Sequence, residues 1–398
     1  MKKLLTYLEL GKVGGLELLF SMYLILTAYQ YGSVPLGLLT LLIMDVIALR
    51  KPHSDYQIWQ SIYKPMAWCM AFAVIHEVIL FFMIGMGHSH MMNANIALMI
   101  NVVSIFIIAP KLDFEKLMHS LMIVAVISAI GLIVQFVKIQ AGGTVSPILL
   151  PFLPNPGEQG RFGQDVIRPT SFFVEPAAFV TFMMVPYFYV MYKRHYLLAA
   201  GFILIMLLST STTAIGLSFI LLGVYAFTQK VKIKYRVLIV LIGAVVMTVM
   251  FTSSLFEAGV DKMNNTELEN SVRLYNGVTI FNNTRLENML FGVPYANIYD
   301  YCIKENIPVV FYDESVYCTT FWFILVKFGL LSIMLYVYGY WRLMKECRDV
   351  IPYVVCVLVA LFTQSIRYDS GALMFQLCSI YALMIYSIKM QRQNIIYE

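Results

Sequence analysis

Residues 117–138 read LMHSLMIVAVISAIGLIVQFVK. About 20 apolar residues in helical conformation cross a bilayer core of about 30 Å, and this run is long enough to do so. Similar runs recur along the whole chain, separated by short polar gaps. Of the 398 residues, 60% are hydrophobic and 13% charged. Soluble chains carry about 45–50% apolar and about 25% charged residues, so the excess belongs to a membrane protein and not to one large soluble core. The expected class is all-α: a polytopic integral membrane protein forming a single transmembrane domain over residues 1–398.

The spacing predicts about twelve spans, near 12–30, 33–49, 65–87, 92–110, 117–138, 172–192, 196–209, 212–228, 235–253, 319–341, 350–366 and 371–388. The run from Tyr196 to Phe227 is too long for one span, and the polar cluster Ser209–Thr213 divides it in two. Lys and Arg then fix the direction. Lys2, Lys3, Arg50, Lys51, Lys64, Lys111, Lys116, Lys193, Arg194, Lys230, Arg236, Arg342, Lys345, Arg348 and Lys389 all fall on alternate gaps, which places those gaps and both termini in the cytoplasm. Lys138 and Arg367 stand at outer span ends. The net charge of +5 is therefore a topology signal, and no nucleic-acid partner is expected. Met1–Leu10 begins MKK without a small-residue cleavage site and reads as a retained cytoplasmic start. Two outer connections are large, the third at 139–171 and the fifth at 254–318.

The third loop contains an apolar segment, Ser146–Pro156, broken by Pro147, Pro151, Pro154 and Pro156. Proline disrupts a helix interior, so the segment is expected to dip into the membrane or lie at its surface. Arg161 and Arg168 follow, and Glu175 is expected about one turn inside the sixth span. A carboxylate there faces headgroups, a cavity or a cation. The fifth loop is acidic but carries Arg273 and Arg285. Ser271–Asn283 has helical spacing with Ser271 as N-cap, a break near Asn282-Asn283, and a turn at Phe291-Gly292-Val293-Pro294. Local ion pairing is the alternative account of both arginines.

Within the spans, His76 and Glu77 suit either a functional site or a helix–helix hydrogen bond. Lys327 is placed to snorkel to the outer surface or to bind a phosphate. Arg367 is near Asp369, which would pair with it. Cys302 and Cys318 share the outer side, where a disulfide is one option. No Cys/His spacing resembles a zinc site, and no metal or cofactor is expected.

Two large outer loops in a chain of about twelve spans resemble the bacterial O-antigen and capsular polysaccharide polymerases. Local sequence carries the resemblance further. Arg168-Pro169-Thr170-Ser171-Phe172-Phe173-Val174-Glu175-Pro176 is similar to that family's arginine, aromatic and Glu-Pro start of a span. Arg273 leading to Phe291-Gly292-Val293, and Asp313-Glu314-Ser315 leading to Phe328-Gly329, follow its pattern too. Pro294 stands where members often have a second glycine. Asp313 and Glu314 stand where the related O-antigen ligases show a histidine.

The resemblance implies a glycosyltransferase of the bacterial inner (cytoplasmic) membrane. Its substrates would be undecaprenyl-diphosphate-linked oligosaccharides, joined by transfer of one glycan onto a hydroxyl of another. A flippase and a chain-length regulator would be working partners. It implies Arg168, Arg273, Arg161, Arg285, Lys327 and Arg367 as substrate-binding residues, and Glu175 as catalytic base. A transporter of lipid-linked oligosaccharides is the rival from another class, and glycan ligation a second.

Overall fold

In the computed structural model the described residues are 12–31, 34–52, 56–84, 89–151, 153, 168–228, 272–294, 298–312, 315–364 and 371–397, with a few more between 233 and 248. The expected span at 235–253 falls almost wholly outside them, as do Arg161, Ser271, Asp313, Glu314, Arg367 and Asp369. Helices occupy the other predicted spans, with a short additional helix, α3, between the second and third: α1 (Gly15–Leu26), α2 (Leu36–Arg50), α3 (Tyr56–Ile62), α4 (Lys64–Ile84), α5 (Ser89–Ile108), α6 (Phe114–Gln140), α7 (Pro176–Tyr192), α8 (Tyr196–Leu208) and α9 (Thr212–Thr228). The fifth loop holds α10 (Val272–Asn282), α11 (Leu286–Phe291) and α12 (Ile298–Lys304). The chain then continues as α13 (Thr320–Glu346), α14 (Ile351–Thr363) and α15 (Gly371–Tyr397). Extended pairing among the described residues is limited to Gln30–Tyr31 with Val34–Pro35 and Phe311–Tyr312 with Ser315–Val316, both antiparallel.

Local chemistry sets the helix ends. Asp113 caps α6 by accepting the Lys116 amide at 3.1 Å, and Glu115 and Lys138 match the helix dipole at its two ends. Pro176 opens α7 at a position where no amide is needed. Thr210, with φ of 51°, makes the tight reversal between α8 and α9 that the Ser/Thr cluster predicted.

Burial separates an inner from an outer set. α7 is enclosed almost all round, from Phe179 to Met191, and α15 likewise from Leu373 to Ile385. The helices around them expose apolar stripes: Leu42, Ile43, Val46 and Leu49 on α2; Ile75, Ile79 and Phe82 on α4; Ile130, Val134 and Val137 on α6. Water does not tolerate such continuous apolar faces, whereas lipid requires them. Among the described residues, Phe114–Gln140, Thr320–Glu346 and Gly371–Arg392 are long and apolar enough to cross a membrane, and several shorter apolar helices accompany them. The fold is thus that of a helical membrane protein.

Contacts sort the polar residues to two ends. At one, Lys51 pairs with buried Glu17 at 2.7 Å, Lys111 donates to the Lys51 carbonyl, and the Asp113 amide donates to Glu17. Glu115 with Tyr386, and Asp349 with Ser387, lie at that same basic end. At the other, the Tyr29 hydroxyl accepts the Leu150 amide of the third loop. This loop end carries the third and fifth loops.

Candidate functional site

One side chain fastens the third loop. Gln135, buried in the last turns of α6, accepts the amides of Thr170 at 2.9 Å and Ser171 at 2.7 Å, and donates to the Ser146 carbonyl at 2.7 Å. Its amide therefore clasps the loop at both ends. The Ile148 amide reaches the Ser171 carbonyl, and Ile148 lies against Gly131. Gly131 is nine residues below the end of α6, about 13 Å at helical rise. The described start of the proline-broken segment, 146–151, therefore runs back alongside the helix, and Pro154 and Pro156 lie outside the described residues. Ser171 holds φ of 56° to make the turn toward α7. Arg168, half-buried, is two residues from the clasped Thr170.

Glu175 is placed differently from the expected turn inside a span. The helix begins only at Pro176, and Glu175 is its N-cap residue, with extended backbone and no side-chain capping bond. The turn at Ser171 and the proline at the first helical position delay the start. The carboxylate is half-exposed at the mouth of the helix.

The fifth loop has a small apolar core of its own: Ile280, Val293, Ile298, Tyr301, Cys302, Ile307, Val316 and Cys318, closed by Val326 of α13. Buried Asn276 stitches it by donating to the carbonyls of Val310 and Tyr317 and accepting the Val310 amide. Cys302 and Cys318 are both buried thiols here, not a disulfide. The helix break falls at Asn283–Arg285, close to where it was expected.

Arg273 lies with its guanidinium carbon 4.9 Å from the centre of the Tyr317 ring, and Nη1 donates to the Thr363 carbonyl at 3.4 Å. The cation–π contact holds the guanidinium over the ring, and the Thr363 carbonyl takes one of its five donors. The neighbouring Gln364 joins three helices. Its carbonyl accepts the Thr320 amide and hydroxyl, both at 2.7 Å, and its side-chain oxygen faces the Thr181 hydroxyl of α7 at 3.2 Å. Arg273 is thus tied through α14 to the helix that Glu175 opens. Arg168, Glu175 and Arg273 share the loop end of the bundle.

Two other predicted residues stand apart. Lys327 does not reach the surface; it lies inside the bundle, 3.0 Å from Glu77 of α4. In hydrocarbon an ion pair with a neighbouring helix satisfies an ammonium better than snorkelling across two turns. Arg285 is exposed at the start of α11. Sequence reasoning missed Gln135, Asn276 and Gln364. A glutamine inside an apolar run is a signal for interhelical or loop bonding and marks Gln135. Gln364, at the end of an apolar run inside the predicted span 350–366, carries the same signal, whereas Asn276 sits in polar text and carries none.

No protein-family model and no curated protein matches this chain. Among the described residues no cluster of three His, Cys, Asp or Glu is placed to hold a metal ion.

Proposed function

We propose that the chain is a polysaccharide polymerase of the bacterial cytoplasmic membrane, with twelve passes, both termini inside and the loop end outside. It joins undecaprenyl-diphosphate-linked oligosaccharides. The observation that carries this reading is the mounting of Arg168 and Arg273. They come from separate loops, one held beside the Gln135 clasp and the other set over the Tyr317 ring, at the end of the bundle where Glu175 opens α7.

The reaction breaks the bond between the anomeric carbon of the donor glycan and its diphosphate oxygen. A hydroxyl oxygen of the acceptor glycan forms the new bond at that carbon. Charge builds on the departing diphosphate, and a guanidinium is always charged and matches phosphate oxygens in a two-pronged geometry. A preorganised donor aimed at such charge contributes about 10²–10³ in rate. Glu175 takes the acceptor's proton as general base. Arg161, Arg285 and Arg367 are further candidate contacts to diphosphate or glycan.

The test is Arg168→Ala and Arg273→Ala in cells: each abolishes polymer while membrane levels of the protein hold. Polymer of normal length in both variants overturns the assignment. The buried Glu77–Lys327 pair favours a second reading, transport of the lipid-linked unit, because charged residues inside a bundle mark transport pathways. Sidedness separates the two: loss of a polymerase leaves single units on the outer leaflet, and loss of a flippase leaves them on the inner one.

A further inference from the structure

The fifth loop meets α13 well below that helix's start. α13 begins at Thr320 and its backbone breaks at Gly329, nine residues and about 13 Å further along. There the backbone of Gly292 abuts the Lys327 carbonyl and Phe328, and Gly329 abuts the Leu290 carbonyl. The Val293 amide donates to the Val326 carbonyl at 3.0 Å, a carbonyl that the helix break leaves open for it. Before this point, Phe281 of α10 packs on Trp322, with ring centres 5.6 Å apart. The chain therefore descends from the level of Trp322 to that of Gly329 between residues 281 and 292, and α11 is the descent.

No residue of α11 is buried. Leu286, Leu290 and Phe291 are 70%, 40% and 62% exposed. The polar residues Arg285 and Glu287 belong to its upper end and are exposed as well. At its lower end the exposed residues on the neighbouring helices include apolar ones at the same depth. Ile75, Ile79 and Phe82 of α4 flank Glu77, which meets Lys327 at this depth, and Leu330, Leu331 and Met334 continue down α13. α13 is long and apolar enough to cross a membrane, and Gly329 lies nine residues inside it.

We propose that α11 is inserted in the leaflet on the loop side, with Leu290 and Phe291 among lipid acyl chains and Arg285 and Glu287 at headgroup level. Lipid is the occupant because α11 exposes Leu290 and Phe291 at the same depth at which α4 and α13 expose their own apolar residues. The fifth loop is then moored in the bilayer, and Arg273, carried by the preceding helix, is held near the headgroup plane. The inference needs α13 to cross the membrane and is independent of the reaction proposed above.

The experiment is spin labelling in liposomes, one site at a time, at Leu290→Cys and Phe291→Cys. The six native cysteines are all buried and react slowly. Met334→Cys serves as the bilayer reference and Glu305→Cys, exposed after α12, as the aqueous reference. Labels at 290 and 291 should collide freely with oxygen and be shielded from a water-soluble nickel chelate, as at 334. Nickel access equal to that at 305 overturns the proposal, and so does low access to both reagents, which marks a covering protein or a second copy. Phe291→Trp gives an independent reading with a smaller change. Its emission above the unsubstituted protein should be quenched by lipids brominated on the acyl chain, and unchanged emission overturns the proposal.

Discussion

Lys327 and Glu77 form an ion pair between α13 and α4, with 3.0 Å between ammonium and carboxylate and both side chains 6% exposed. His76 stands 3.5 Å from the same carboxylate oxygen. Removing one partner of such a pair strands a buried charge and costs about 3–5 kcal/mol, whereas replacing both with uncharged groups is often neutral. Lys327→Met and Glu77→Gln should each lower the unfolding temperature of the purified protein markedly. The double variant should recover most of the loss. Additive losses in the double variant would show that the pair is not the source of stability.

Gly292 and Gly329 meet back to back, with φ/ψ of 89°/167° and 81°/174°. That region of backbone space is essentially restricted to glycine, and holding another residue there costs on the order of 1–3 kcal/mol. A Cβ at either position also runs into the other segment's backbone. Gly292→Ala and Gly329→Ala should each destabilise the protein and release the fifth loop. Gly201→Ala, within α8 and with open space around it, should be neutral or stabilising by about 0.5–1 kcal/mol. Thermal unfolding in detergent compares the three.

The Gln135 clasp predicts an exchange pattern. Gln135→Leu removes the acceptor shared by the Thr170 and Ser171 amides and the donor to Ser146. Hydrogen exchange at residues 170–171 should accelerate at least tenfold, and polymer should be lost along with Arg168's placement. Unchanged protection would contradict the clasp.

Burial, reinforced by neighbouring Cys318, pushes the Cys302 thiol from its ordinary value of 9.0 up to about 12. The thiolate is the reactive form, so alkylation of Cys302 in the folded protein should be slow at neutral pH and rise about tenfold per pH unit toward pH 12. A folded value above the unfolded one means that this thiol's contribution to stability is complete below pH 9. It is lost as pH climbs from 9 to about 12. Rapid labelling at pH 7 would contradict the buried placement.

Much of the architecture was legible because lipid imposes long apolar runs, and polar interruptions at Ser209–Thr213 and Asn282-Asn283 mark real breaks. The helix break at Gly329 was hidden inside such a run, since nothing local distinguishes it from an ordinary glycine in a span. The partner of Lys327 was hidden by distance along the chain, as Glu77 lies 250 residues away. Glu175 was read a turn too deep because the run of aromatics before Pro176 looks helical, while Ser171 bends it into a turn. Arg168 and Arg273 were visible as cations that topology does not call for. Of the anchors that hold their segments, Gln135 was visible as a glutamine in an apolar run, whereas Asn276 acts through backbone contacts within polar sequence that nothing local displays.

The most direct measurement takes native cells deleted for this chain and determines the length and sidedness of their undecaprenyl-diphosphate-linked glycan. The account predicts single repeat units exposed on the outer leaflet, with long polymer restored by the unsubstituted chain and not by Arg273→Ala. Single units confined to the inner leaflet, or long polymer persisting in the deletion, would contradict it.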